Sequence, residues 1–534
     1  MTPFHSLLLA FATSTVGLLP PRAPAEEATS QGAPSVIPRL KSLDFAPFAP
    51  AMEDLGADRA AQLHDLVKNA PLQEMQAALT AGQCTSEELA VYFLKRIQRH
   101  DEALRSYLEL NPHCLGEARE SDRRRAAGKT RGPLDGIPLN LKDNIGTAAP
   151  MHTTAGSEIL LTHSPAKDAV VTRRLREAGA VILGKASLSE LAGSLTTDPP
   201  GYNAISGIGV NAYRKDLPVS GSSSGSGIST NAGLTMVSVG SETSGSLIAP
   251  GAANGVVAMK PGLGVVSGGG IVPLVRFQDS AGPIARHVAD AALLLEAMDE
   301  KDTDYTAALK PNALEGVPVG ILRAAIRGKN DPARNETWLK RIDEGLAKAK
   351  AACREVPETF PAKPDILPLI FLGLEVDTMG YIASAGSPIK SIAELQAYHA
   401  AQPETRIPRG QNLIGYAAKI IPALMAEPAA AEAGLAKLYE EMAMDMRQIM
   451  AGLLHQTFST HEVEVLVSLA NAHSDLYATA GYPAITVPLG LDKDGTPNGV
   501  TFIGKPGGDA RLLACAYAFE QATRLRVPPA AMVD

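Results

Sequence analysis

The sequence predicts an α/β fold: a large mixed β-sheet covered by helices, carrying a mostly helical insertion at about residues 330–460. Three observations predict it. Short apolar runs punctuated by glycine alternate with helical patterns along most of the chain. Those runs are apolar throughout, as befits strands buried on both faces. From about 330 to 460 the composition shifts to Ala, Glu, Lys, Met and Leu in long helical stretches.

The elements follow in order. Residues 26 to about 60 are rich in Pro, Ala and Ser and form an N-terminal extension; 61–534 form a single domain. A helix starts near Thr85, where Thr85 and Glu88 make a capping box ahead of Leu89, Tyr92, Phe93 and Ile97. From Asp168 a helix runs to Gly179 as its C-terminal cap, followed by the strand Ala180–Leu183. Leu234–Gly240 and Ala484–Leu489 are strands, and Val288–Met298 is a helix. Within the insertion, Glu336–Cys353 and Gly434–Leu454 are helical.

Composition narrows the function classes. The chain has 534 residues, 45% hydrophobic and 20% charged, enough to bury a large core. A net charge of −8 argues against a nucleic-acid binder. Leu7–Leu19 is an apolar run too short to span a bilayer, and Ala23-Pro24-Ala25 supplies an A-x-A cleavage site. Residues 1–25 therefore read as a signal peptide, which places the protein outside the cytoplasm, secreted or periplasmic, without a stable membrane span. Cys84, Cys114, Cys353 and Cys515 form no C-x-x-C pair, so zinc is unsupported. They read as small buried hydrophobes, and an exported chain leaves disulfides open.

Three motif matches fail on context. Gly179 to Lys185 fits G-x-x-x-x-G-K, but Ala186 replaces the magnesium-binding Ser/Thr and the interior is an apolar strand. Ser387-Pro-Ile-Lys390 fits S-x-x-K without its companion motifs. Gly221-Ser-Ser-Ser-Gly225 fits a nucleophile elbow with Ser223 at its tip, yet the preceding Tyr213–Pro218 is polar and not an apolar strand.

A different constellation fits better. Lys142 closes the apolar run Gly136-Ile-Pro-Leu-Asn-Leu-Lys142, where desolvation would lower its pKa and make it a neutral base. Alone, it could as well be a lysine snorkelling at a strand end. Two Ser-bearing glycine turns follow, Gly221–Gly227 and Gly240–Ser246. They lie in a 70-residue stretch, Gly201–Gly270, holding 16 Gly and 12 Ser. Apolar segments interrupt the stretch, so it is not a linker. Small residues let backbone N–H groups converge on an anion.

These residues carry a resemblance. The run from Ser220 to Gly262, with Gly-Ser-Ser-Ser-Gly-Ser-Gly, Gly-Ser-Glu-Thr-Ser-Gly-Ser-Leu-Ile-Ala-Pro-Gly and Met-Lys-Pro-Gly, resembles the amidase signature family. Gly136–Asn144, Gly184–Glu190, Gln278–Pro283 and Gly481–Pro488 match further motifs in order. The similarity spans about residues 65 to 530, is weakest across 330–460, and is greatest to bacterial peptide amidases.

The resemblance implies an amidase signature fold and a serine amidohydrolase working through an acyl-enzyme. Ser246 takes the nucleophile position and Lys142 the base position. Ser222 takes the bridging position, preceded by a cis peptide bond, and Ser223 a supporting one. The backbone amides of Thr243, Ser244, Gly245 and Ser246 fall at the oxyanion-hole positions. No metal or organic cofactor is implied. The implied partner is a small-molecule or peptide amide, with aryl amides, esters and carbamates as alternatives. A monomer or homodimer is expected, whereas a non-catalytic transamidation subunit would need partner chains. Ser220, Ser224 and Ser244 stand where many members have glycine, and Ile248 where many have arginine. At Ser244 a positive φ would add strain; otherwise its side chain narrows the acyl pocket.

Overall fold

The computed structural model describes residues 39–195, 199–327 and 332–533, so the signal-like segment and residues 26–38 lie outside the described residues. The strands are β1 (Tyr107–Leu110), β2 (Pro138–Lys142), β3 (Val181–Ala186), β4 (Tyr202–Asn203), β5 (Gly207–Ile208), β6 (Val237–Glu242) and β7 (Val257–Lys260). They continue as β8 (Ser280–Ala285), β9 (Pro318–Ile321), β10 (Ala352–Glu355), β11 (Val465–Leu469), β12 (Ala484–Leu491) and β13 (Pro497–Ile503). Eleven of them form one sheet in the order β1-β3-β2-β6-β8-β7-β12-β13-β11-β9-β10, and β4 pairs with β5 alone.

The sheet is mixed, as the sequence predicts. β2 runs parallel to β3 and β6, and β6 runs antiparallel to β8. Every residue of β2, β6 and β8 is buried, so the polar side chains of Asn140, Lys142 and Ser238 lie inside the fold beside their apolar neighbours. The helix Ser86–Leu104 opens with the Thr85–Glu88 capping box, worth about 1 kcal/mol. The helix Val170–Glu177 is followed by Gly179 at φ +83°, and Val288–Met298 is helical as read. The extension is anchored from Arg39, which pairs with buried Asp101 at 3.0 Å, and Phe48 and Met52 join the main core.

The segment 330–460 is helical with one correction. The helix Pro332–Lys348 ends before Cys353, which instead lies in β10, paired parallel with β9. Register against β9 outweighed the helical propensity of that stretch. All four cysteines are free; Cys84, Cys114 and Cys515 are buried, whereas Cys353 is exposed. The helical segment has its own apolar core, in which Leu369, Leu372, Ile382 and Tyr439 pack with Ala155, Leu191 and Val275 of the body. Leu367–Ser384 is apolar and long enough to cross a membrane, and this packing accounts for its apolar character. The helices thus sit over the carboxyl ends of β2 and β6.

Candidate active site

Parallel pairing places the functional residues. Leu141 of β2 lies opposite Val239 of β6, so Lys142 ends beside Gly240 and Ser241. The lysine is fully buried, and its Nζ reaches Ser222 Oγ at 2.7 Å, Ser241 Oγ at 3.0 Å and the Ser241 carbonyl at 3.1 Å. Among the described residues no carboxylate pairs with it: the adjacent Asp143 faces Lys185 at 3.4 Å, and Glu242 caps the amides of Leu247 and Ile248. Burial therefore dominates and lowers the Lys142 pKa from 10.5 to about 7, against weaker raising by Asp279 and Glu242.

Ser222 opens the turn into the buried helix Ser224–Asn231, and the Gly221–Ser222 peptide bond is cis. Three ties fix the turn. The Ser189 amide donates to the Ser222 carbonyl at 3.0 Å, the Ser223 amide to the Ser246 carbonyl at 3.1 Å, and the Ser223 hydroxyl to the Ser241 carbonyl at 3.0 Å. Ser223, the tip of the rejected elbow, is fully buried and spans the two serine turns instead of facing a cleft. Ser220 takes φ +57°, a left-handed conformation that favours glycine.

The second turn, Thr243–Ser246, has three of its carbonyls engaged and its amides open. The Thr243 carbonyl accepts from Gln278, that of Gly245 from Ala249, and that of Ser246 from Ser223. Among the described residues no hydrogen bond consumes the amide hydrogens of Thr243, Ser244, Gly245 or Ser246. Gly245 has φ +81°, and a Cβ there would lie 3.0 Å from Ser474 Oγ. Ser244 does not take a positive φ, so the strain alternative does not arise; its hydroxyl donates to Asp475 at 3.0 Å. Asp475 in turn pairs with Lys363 of the helical segment at 3.0 Å.

Sequence reasoning missed Ser241 and Asn144. Asn144 Nδ2 donates to Ser241 Oγ at 2.9 Å, so this hydroxyl receives both Asn144 and Lys142. The neutral form of Lys142 has two N–H bonds and one lone pair. The Ser241 carbonyl can only accept, and Ser241 Oγ takes the second N–H; the lone pair is left facing Ser222. The arrangement can move a proton from Ser222 to Lys142 and back. The period-two face assignment of β6 could have exposed Ser241, but only with the β2 register known.

A cavity of about 130 Å³ lies beside this cluster, lined by Asn144, Ser241, Thr243, Arg276, Asp279 and Ser280 among others. Asp279 accepts from Thr243 Oγ1 at 2.5 Å and from the amides of Leu274 and Val275 at 2.8 and 3.0 Å. Burial still raises its pKa to about 7.

Residues 88–513 match the Amidase family. The chain belongs to this family. Relatives include a probable amidase of Arabidopsis thaliana, 34% identical over 87% of this chain and 92% of its own length. A glutamyl-tRNA(Gln) amidotransferase subunit of Moorella thermoacetica is 30% identical over 84% of this chain and 96% of its own. Among solved structures, an amidase family protein from Bacillus anthracis superposes with a TM-score of 0.82 at 32% identity, covering 90% of this chain and 96% of that one. The native peptide amidase from Stenotrophomonas maltophilia gives a TM-score of 0.77 at 36% identity, covering 86% and 98%. The fold is thus that of the amidase signature proteins, and this amidase is a hydrolase of amide C–N bonds.

Proposed function

We propose that this amidase cleaves carboxamides, with C-terminal peptide amides as its substrate class, through an acyl-enzyme on Ser246. The single observation that carries the mechanism is the 2.7 Å contact between Ser222 and a buried Lys142 whose pKa falls to about 7. Lys142 accepts a proton through Ser222 as Ser246 Oγ attacks the substrate carbonyl. The tetrahedral oxyanion rests on the open amides of residues 243–246. One such donor is worth about 2.7–4 kcal/mol. The proton then returns through Ser222 to the leaving amine, and water hydrolyses the ester on Ser246. Substrate class rests on similarity to the Stenotrophomonas maltophilia peptide amidase.

Incubation with peptide amides, aryl amides and esters, followed by intact-mass detection of the acyl adduct, tests this reading. Wild type accumulates an adduct on Ser246 and Ser246→Ala neither forms it nor turns over while keeping its fold. Hydrolysis at the wild-type rate by Ser246→Ala would overturn the assignment. A subunit of a larger assembly, as the amidotransferase relative is by name, would instead turn over only with added partner chains. Export through residues 1–25 is part of the same proposal, tested by the N-terminus of the mature protein.

A further inference from the structure

The cavity beside Lys142 carries a cation that the reaction above does not use. Arg276 lines the same cavity as Asn144, Ser241 and Thr243. Its side chain is 46% exposed, yet it is held on several sides. One Nη forms an ion pair with Asp377, and the Arg276 amide donates to the same carboxylate at 2.8 Å. The guanidinium stacks over Phe277 at 4.3 Å and Tyr439 at 5.1 Å from the ring centroids. Tyr439 Oη completes the hold by donating to Asp377 at 2.5 Å. Asp377 and Tyr439 both belong to the helical segment that covers the cleft.

A guanidinium has five N–H groups, and a fixed fork loses little entropy when it meets an acceptor. Among the described residues, only Asp377 accepts from this side chain, so donors remain for a ligand. The charge balance selects that ligand. Asp377 neutralises Arg276, and Asp279 presents a second carboxyl group to the same cavity. A substrate carboxylate would meet the Asp377 charge that already pairs with Arg276, whereas a neutral carbonyl oxygen takes the free N–H groups without that repulsion. We infer that Arg276 is a specificity-determining residue that hydrogen-bonds a neutral carbonyl oxygen in the acyl part of the substrate. This rests on the proposed function: with ammonia as leaving group, every recognised substrate atom beyond the scissile amide lies on the acyl side.

The test compares an N-acetyl-dipeptide amide with an alkyl amide of equal length, and with the same peptide amide carrying an upstream glutamate. Wild type, Arg276→Gln and Arg276→Lys are assayed for kcat and KM with each. The ratio of kcat/KM for the peptide amide over the alkyl amide falls tenfold or more in Arg276→Gln, a loss of about 1.4 kcal/mol, and the change is carried by KM. Arg276→Lys keeps part of the ratio, and it decides the matter if the glutamine variant does not fold. A ratio equal to that of wild type in a folded variant overturns the inference. So does a wild-type preference for the glutamate-bearing amide that salt abolishes, which would identify a carboxylate as the ligand. Wild-type protein that hydrolyses none of the three amides would instead refute the proposed function.

Discussion

Replacing Lys142 with methionine should abolish turnover and, below neutrality, make the protein more stable. Lowering the lysine pKa from 10.5 to about 7 corresponds to about 5 kcal/mol of differential interaction. Between those two pH values the unfolded chain binds a proton that the folded chain does not. The stability cost of the buried lysine is therefore fully present below pH 7 and fades as the pH rises toward 10.5. Methionine keeps the apolar stem but loses the contacts to Ser222 and to the Ser241 hydroxyl and carbonyl, each worth about 1 kcal/mol. The balance is a gain of about 2 kcal/mol for Lys142→Met near pH 6 and a loss of about 2 kcal/mol near pH 10. For a chain of 534 residues the unfolding entropy is on the order of 1 kcal/mol per degree. The difference in Tm between variant and wild type should thus change sign across this range, moving by about 4 °C. Calorimetric scans at a fixed rate in matched buffers measure it, and the shared titrations of all other groups cancel in the difference. A Tm difference independent of pH between 6 and 10 would refute the reasoning, because Lys142 would then be charged, or solvated, in the folded protein.

Two further outcomes follow from the same geometry. The kcat/KM of the wild type should rise about tenfold per pH unit below pH 7 and level off above it, as neutral Lys142 becomes populated; a flat profile down to pH 5 would remove Lys142 as the base. Gly245→Ala should lower kcat about a hundredfold with the fold retained by circular dichroism, since φ +81° and a Cβ 3.0 Å from Ser474 displace an oxyanion amide; near wild-type turnover would show that this amide is not used.

Most of the fold was legible because its signals are local. The Thr85–Glu88 box, the glycine after Glu177 and the apolar run Ala484–Leu489 each fix an element from within a few residues. The error at Cys353 has the opposite origin. Ala and Arg in that stretch suit a helix, and only pairing with β9 makes it a strand. The ties between Asp377, Tyr439 and Arg276 join residues 101 and 163 positions apart, and no local pattern encodes them.

The candidate site divides along the same line. Ser222 and Ser246 announce themselves through glycine-rich turns, because close backbone approach demands small residues whatever the tertiary setting, and Lys142 through the apolar run it closes. Ser241 gives no such signal. It sits on β6, and its role exists only because a parallel register sets it beside Lys142. In the proposed mechanism it bears on the chemistry as directly as Ser222 does. Without its two acceptors, both N–H groups of a neutral lysine would be free to turn toward Ser222, and the lone pair would have no fixed direction. In the proposed mechanism, the proton path from Ser222 to Lys142 takes a direction only when this third serine, held by Asn144, is counted with Ser222 and Ser246.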